Sequence, residues 1–185
     1  MSQDSHETEI KLPAADVASG RRVLYRAGFR VYKRRVFEDN TVFDTAGLKM
    51  RKGAMLLRLR DVGGKAIVTF KGRPVAGKHK SREELEVEVS NAGTLRTIVE
   101  RLGYRAVFQY QKYRTEYKQA GHAGVATLDE TPIGIYLELE GQPGWIDRTA
   151  RQLGYREKDY IVSSYARLYL DWCKKNRVKP TNMTW

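Results

Sequence analysis

What most restricts the fold of this chain is a set of short alternating segments whose polar positions carry charges in doublets of both signs. In Glu7-Thr8-Glu9-Ile10-Lys11, polar and apolar residues alternate with a period of two, which predicts a strand with one wet and one dry face. The same period places Glu84, Glu86 and Glu88 on one strand face, Glu138 and Glu140 on a second, Arg58 and Arg60 on a third, and Lys112 and Arg114 on a fourth. Asp129 stands on the strand beside Glu138 and Glu140, and Lys11, Lys71 and Arg82 add single cations. The opposite faces are apolar: Leu57 and Leu59, Val68 and Phe70, Leu85 and Val87, Leu137 and Leu139. Same-face neighbours on a strand stand roughly 6.5–7 Å apart. One cation can therefore sit near Glu7 and Glu9 with an anion at Lys11.

Two architectures accommodate this pattern. A sheet can pack its apolar face on helices and turn its charged face to water, which is the common solution. Alternatively the strands close into a barrel with the charges inside and helices covering the apolar outside. Buried charges are costly unless they are paired or hold something, so the barrel requires a highly charged ligand. Arginine and lysine on rigid strands suit phosphate oxygens, and carboxylates suit Mg²⁺ or Mn²⁺. At an effective dielectric near 20, a unit-charge contact at about 4 Å is worth on the order of 4 kcal/mol before desolvation.

In chain order, Pro13 is expected to open a helix that Gly28 ends. Phe29 to Asp44 reads as one or two strands with a turn near Asp39-Asn40, and Gly47 to Gly53 as a basic loop. Met55–Val62 and Ala66–Lys71 flank Gly63-Gly64, a hairpin signal. A basic loop with Lys78 and Lys80 leads to a strand over Arg82–Val89. Asn91 then caps a helix that buries Leu95, Ile98, Val99 and Leu102. Tyr104–Lys118 reads as a long strand, Gly124–Glu130 and Ile133–Gly141 as two more, and Gly144–Leu153 as a helix. A last helix starts near Ser163-Ser164. Three helices end alike, at Ala27-Gly28-Phe29, Leu102-Gly103-Tyr104 and Leu153-Gly154-Tyr155, which predicts left-handed glycine caps.

With 185 residues the chain suits one domain, placed at residues 1–173, with 174–185 as a basic, flexible tail. The opening Met1-Ser2-Gln3-Asp4 has no apolar core of a signal peptide, and no segment has the length of a membrane span. The single cysteine, Cys173, fits a reducing cytoplasm. A formal charge of +12 favours an anionic partner. Cysteine clusters and histidine pairs are absent, as are a Walker loop and a dinucleotide fingerprint, so zinc and those nucleotide folds are not indicated.

Glu7, Glu9 and Lys11 match the Glu-x-Glu-x-Lys hallmark of the CYTH superfamily, the triphosphate tunnel metalloenzymes, which this sequence resembles. Arg58-Leu59-Arg60, Thr69-Phe70-Lys71, Ser81-Arg82-Glu83-Glu84-Leu85-Glu86, Lys112-Tyr113-Arg114 and Glu138-Leu139-Glu140 follow in the family order, so the resemblance runs from Glu7 to about Leu170. Leu102-Gly103-Tyr104, Asp129-Glu130 with Gly134, and Ser164-Tyr165 are most similar to the class IV adenylate cyclase-like branch. The resemblance implies an α+β fold: an antiparallel β-barrel of about eight strands around a charged tunnel, with helices outside. It implies a cytoplasmic enzyme that acts on a triphosphorylated small molecule, often as a homodimer. Hydrolysis is favoured, with cyclisation of ATP to cyclic AMP as the alternative. Lys11, Arg58 and Arg60 are the expected catalytic clamp. Lys71, Arg82, Lys112 and Arg114 complete triphosphate binding. Glu7, Glu9, Asp129, Glu138 and Glu140 are expected to hold Mg²⁺ or Mn²⁺, and Glu84, Glu86 and Glu88 to line the tunnel.

Val42 stands where family triphosphatases often have a tyrosine, with Tyr32 as a nearby substitute. His6, His79 and His122 read as surface residues, and Tyr165 and Trp172 as core. A non-catalytic polyphosphate or nucleic-acid binder is the competing class. Tyr110, Tyr113 and Tyr117 interleaved with Lys112 and Arg114 speak for it. Carboxylate doublets on neighbouring strands speak against it.

Overall fold

Alternation of the kind described closes on itself. In a computed structural model that describes residues 6–185, the chain runs β1 (His6–Ala14), α1 (Val17–Arg26), β2 (Arg30–Thr45), α2 (Lys49–Lys52), β3 (Leu56–Val62), β4 (Lys65–Lys71), β5 (Lys80–Val89), α3 (Ala92–Arg101), β6 (Tyr104–Lys118), β7 (Val125–Thr131), β8 (Gly134–Glu140), α4 (Pro143–Gln152) and α5 (Tyr165–Asn176). The strands form one closed antiparallel barrel in the order β1-β5-β4-β3-β2-β6-β7-β8. The opening residues Met1–Asp4, read above for a signal peptide, lie outside the described residues.

Register decides what the barrel holds. Glu7 pairs with Arg82, Lys11 with Glu138, Lys71 with Glu84, Glu38 with Lys112, and Arg114 with Asp129, so acids and cations meet across neighbouring strands on the inner face. A slip of one residue would turn a whole strand's charges outward. The apolar residues accordingly face out. Ile10, Leu12, Leu128, Leu137 and Leu139 are fully buried beneath Leu24 of α1 and Ile146 of α4. Phe43, Leu59 and Ala66 pack with Val99 of α3. Each such side chain contributes about 1.5–3 kcal/mol when fully buried. The hydrophobic core therefore lies between barrel and helices, and the charged wall lies inside.

Several elements differ from the sequence expectations. Pro13 lies within β1, opposite Tyr136, and opens no helix. α1 starts after Asp16, whose Oδ1 accepts from the Ser19 N–H at 2.7 Å while Ser19 Oγ accepts from the Asp16 N–H at 3.1 Å. β2 is one strand of 16 residues with no turn at Asp39-Asn40. Cross-strand donors satisfy those side chains instead: Gln109 and Gln111 donate to Asp39, and Arg60 to Asn40. The expected basic loop contains α2. α3 buries Val99, but Ile98 and Leu102 are exposed.

The C-terminal segment is the largest correction. α5 runs to Asn176, and the expected loose tail is docked. The Met183 N–H donates to the Gln109 carbonyl and the Gln111 N–H donates to the Met183 carbonyl, both at 2.9 Å. β7 pairs with β6 only from Tyr113 onward, so the first half of β6 has a free edge there, and the tail satisfies it. Met183 is fully buried, and the Trp185 ring lies 5.2 Å from that of Tyr113.

Candidate active site

The barrel encloses a cavity of about 1450 Å³. Its wall carries Lys11, Arg58, Arg60, Lys71, Lys80, Arg82, Lys112 and Arg114 against Glu7, Glu9, Glu84, Glu86, Glu138 and Glu140, and Glu38 and Asp129 pair with these cations from behind it. The fold thus brings together every predicted clamp residue and nearly every predicted carboxylate. Glu88 is the exception. It stands on the exposed end of β5, paired with Lys65 at 3.0 Å outside the tunnel.

Burial makes these pairs strong and the unpaired atoms informative. Arg58 donates to Tyr110 Oη (3.1 Å), Thr69 Oγ1 (2.9 Å) and Glu86 Oε1 (3.2 Å). Among the described residues its Nε has no hydrogen-bond partner, and Nε of Arg82 has none beyond an ion-pair contact with Glu7 at 4.0 Å. Buried donors left open cost free energy unless an acceptor arrives, and both residues line the cavity. An anion with several oxygens would satisfy them.

The carboxylates divide into two groups. Burial pushes Glu138 up, but Lys11, Arg114 and Lys112 outweigh burial and hold it well below the usual carboxylate range. Glu9 is likewise buried, and Lys11 at 3.3 Å and Lys80 at 2.6 Å keep it ionised. Glu84 and Glu140 behave in the opposite way. Burial, with Glu7 nearby, lifts Glu84 to about 8 against the pull of Lys71 and lifts Glu140 to about 7. Burial thus disfavours the ionised forms of Glu84 and Glu140, which a hard divalent cation on oxygen donors would restore. Among the described residues no three acids, histidines or cysteines stand close enough to form a complete protein cage. The donor set fits Mg²⁺ or Mn²⁺ held by one or two carboxylates together with phosphate oxygens.

Asp129, expected among the metal ligands, lies fully buried behind the wall. Lys112 donates to it at 2.7 Å, Arg114 with two nitrogens at 2.7 and 2.6 Å, and the Tyr165 hydroxyl at 2.8 Å. With both oxygens so engaged, it orients the clamp. Arg114 also bonds Glu138. Tyr165, expected as core, is buried and also faces the tunnel: Lys11 and Lys112 Nζ each lie 5.2 Å from its ring centre.

Val42 lines the cavity, and Tyr32 does not replace the missing tyrosine. Tyr32 is 55% exposed, with the Lys118 ammonium 3.9 Å from its ring. Tyr110 is the phenol that the cavity holds near Val42. Burial raises its pKa, but Arg58, Lys112 and Arg60 together bring it below its ordinary value. His79, expected at the surface, is largely buried at the cavity mouth, 2.8 Å from Asp147 of α4. The sequence reading left Lys80 in a basic loop and missed Glu38 altogether. Carrying the alternation Arg82, Glu84, Glu86 one step back reaches Lys80, and carrying Asn40, Val42 back reaches Glu38.

The two ends of the cavity differ. Antiparallel order brings the C-terminal ends of β2 and β4 and the N-terminal ends of β3, β5 and β6 to one mouth. Around that mouth the lining includes Leu48, Met50, Met55, Leu56 and Phe108 together with the charged Asp44, Arg51 and Arg105.

A closed antiparallel barrel with a charged tunnel and external helices is the architecture that the sequence resemblance implied. The CYTH domain model matches residues 5–165, and the chain belongs to the CYTH family. It is similar to a "putative adenylate cyclase" of Methanocaldococcus jannaschii, 32% identical over 135 residues that make up 72% of this chain and 75% of that protein. In fold it is similar to a "putative adenylate cyclase" from Vibrio parahaemolyticus, with a TM-score of 0.77 at 18% identity, covering 90% of this chain and 98% of that one. A Hippeastrum "putative adenylyl cyclase", described as having a dominant triphosphatase activity, shares the fold with a TM-score of 0.62 at 17% identity, covering 94% of this chain and 97% of that one. Among the described residues no helix is long and apolar enough to cross a membrane.

Proposed function

We infer that this protein is a divalent-metal-dependent enzyme acting on the triphosphate chain of a nucleotide, of thiamine triphosphate or of inorganic triphosphate, by hydrolysis. The observation that carries this reading is the tunnel wall: rigid buried cations with open donors at Arg58 and Arg82, facing carboxylates across one cavity. A linear triphosphate offers the oxygens and the charge that this wall lacks.

Lys11, Arg58 and Arg60 stabilise charge on the transferring phosphoryl group. Lys71, Arg82, Lys112 and Arg114 hold the rest of the chain. One or two of Glu7, Glu9, Glu138 and Glu140 would hold a divalent ion together with phosphate oxygens, and Asp129 acts by orienting Lys112 and Arg114. Bound Mg²⁺ or Mn²⁺ would supply Lewis-acid polarisation of phosphoryl oxygens. In hydrolysis, water attacks a phosphorus and the shortened phosphate leaves. The reaction asks nothing of the organic group, which that mouth would hold.

Cyclisation is the second reading, favoured by the printed name of the Methanocaldococcus relative. There the ribose 3′-hydroxyl of ATP attacks the α-phosphorus and pyrophosphate leaves. The clamp serves either reaction, so products decide between them.

Substitution tests the clamp. Arg58→Ala should abolish turnover of a triphosphate while circular dichroism remains that of the parent, and full activity in this variant would refute the assignment. Glu138→Gln should shift the Mg²⁺ or Mn²⁺ titration to higher concentration, and an unchanged titration would remove Glu138 from the metal site.

A further inference from the structure

We propose that the C-terminal segment tunes the phosphate clamp, with Tyr165 as the positioning residue that connects the two; this rests on the reading of the tunnel as a triphosphate site. The connection is a continuous chain of contacts. Met183 is bonded by its backbone to Gln109 and Gln111 of β6. The Thr181 N–H donates to the Tyr169 hydroxyl at 3.2 Å, and the Val178 N–H donates to the Cys173 carbonyl at 2.9 Å. These contacts fix α5, and the first residue of α5 is Tyr165. Its ring packs between those of Tyr110 (6.3 Å) and Tyr136 (5.7 Å), and its hydroxyl donates to Asp129.

Asp129 is shared between Tyr165, Lys112 and Arg114. When Lys112 and Arg114 turn toward phosphate, Asp129 loses donors in a fully buried position, which is costly. The phenol stays and keeps the carboxylate bonded. Without it, Asp129 competes harder with the phosphate for both cations. The last residues of the chain, far from the tunnel in sequence, therefore set the affinity within it.

The test is calorimetric titration of Mg²⁺-tripolyphosphate into the 185-residue chain, Tyr165→Phe, Asp129→Asn, the double variant, and a chain ending at Val178. The parent should bind, Tyr165→Phe should bind roughly tenfold more weakly, as one hydrogen bond to a charged group is lost, and the shortened chain should weaken comparably. In the Asp129→Asn background the Tyr165→Phe effect should largely vanish, since the coupling runs through that carboxylate. Equal affinity of the parent and Tyr165→Phe would overturn the proposal, as would a Tyr165→Phe effect that persists undiminished in the Asp129→Asn background. Failure of the parent itself to bind would instead overturn the triphosphate reading.

Discussion

Glu38 is the carboxylate on which two cations of the wall depend. It is 3.6 Å from both Arg60 and Lys112 and 3% exposed. Burial raises its pKa, but Lys112 and Arg60, with Arg114 and Arg58 beyond them, outweigh burial and bring it down to about 2. A folded-state pKa below the ordinary 4.5 means that the stability it contributes is complete above about pH 4.5 and is lost as pH falls through about 2. Glu38→Gln should therefore cost about 3–5 kcal/mol at neutral pH, the usual penalty for breaking a buried pair. It should also flatten the acid limb of stability between pH 4.5 and 2. Urea unfolding across that range reads both, and an unchanged acid limb would show that Glu38 ionisation contributes little. The sequence hid this residue for a physical reason. Asp39-Asn40 carries turn chemistry, yet here Gln109, Gln111 and Arg60 satisfy both side chains across strands. The charge doublets were legible because alternation alone fixes which side chains share a face. Asp129 was legible as part of the site, but its engagement by Tyr165 depends on a helix that packs only in three dimensions.

At the scale of elements, local chemistry was read where it acts alone. Gly63-Gly64 turns the β3–β4 hairpin with φ of +57° and +80°, and Gly28, Gly103 and Gly154 end three helices with φ near +90°. Non-local packing was not readable. Pro13 resembles a helix start, but Asp16 and Ser19 make the better cap, and β1 continues through the proline. The tail is basic, yet it finds a free edge on β6. Gly124 shows the same limit: a Cβ there would lie 2.5 Å from the Trp145 ring, a contact that only the folded chain reveals. Gly124→Ala should displace Trp145 from Phe29, whose ring centre is 6.3 Å away, and destabilise the protein by about 1–3 kcal/mol. Thermal unfolding with Trp fluorescence checks this, and an unaltered midpoint would mean that α4 shifts without cost.

For the whole molecule, charge is partitioned. Acids offset much of the cationic charge along the tunnel wall, so most of the formal charge of +12 is carried outside it. Such a field draws anions toward the barrel and weakens as salt screens it. Triphosphate association in stopped flow should slow steeply between low and physiological ionic strength, and a salt-independent rate would assign the exterior charge no role in capture. Binding of the metal with its ligand should also favour the ionised forms of Glu84 and Glu140. Mg²⁺ with tripolyphosphate at about one hundred times Kd should stabilise the fold by about 2.7 kcal/mol, read as a rise in Tm, and no rise would argue against binding in the tunnel. The most direct measurement is ³¹P NMR of the purified protein with Mg²⁺ or Mn²⁺ in parallel samples of ATP, thiamine triphosphate and tripolyphosphate. Metal-dependent growth of orthophosphate with the matching diphosphate product is the predicted result. Three unchanged spectra would contradict the assignment of this tunnel to triphosphate chemistry.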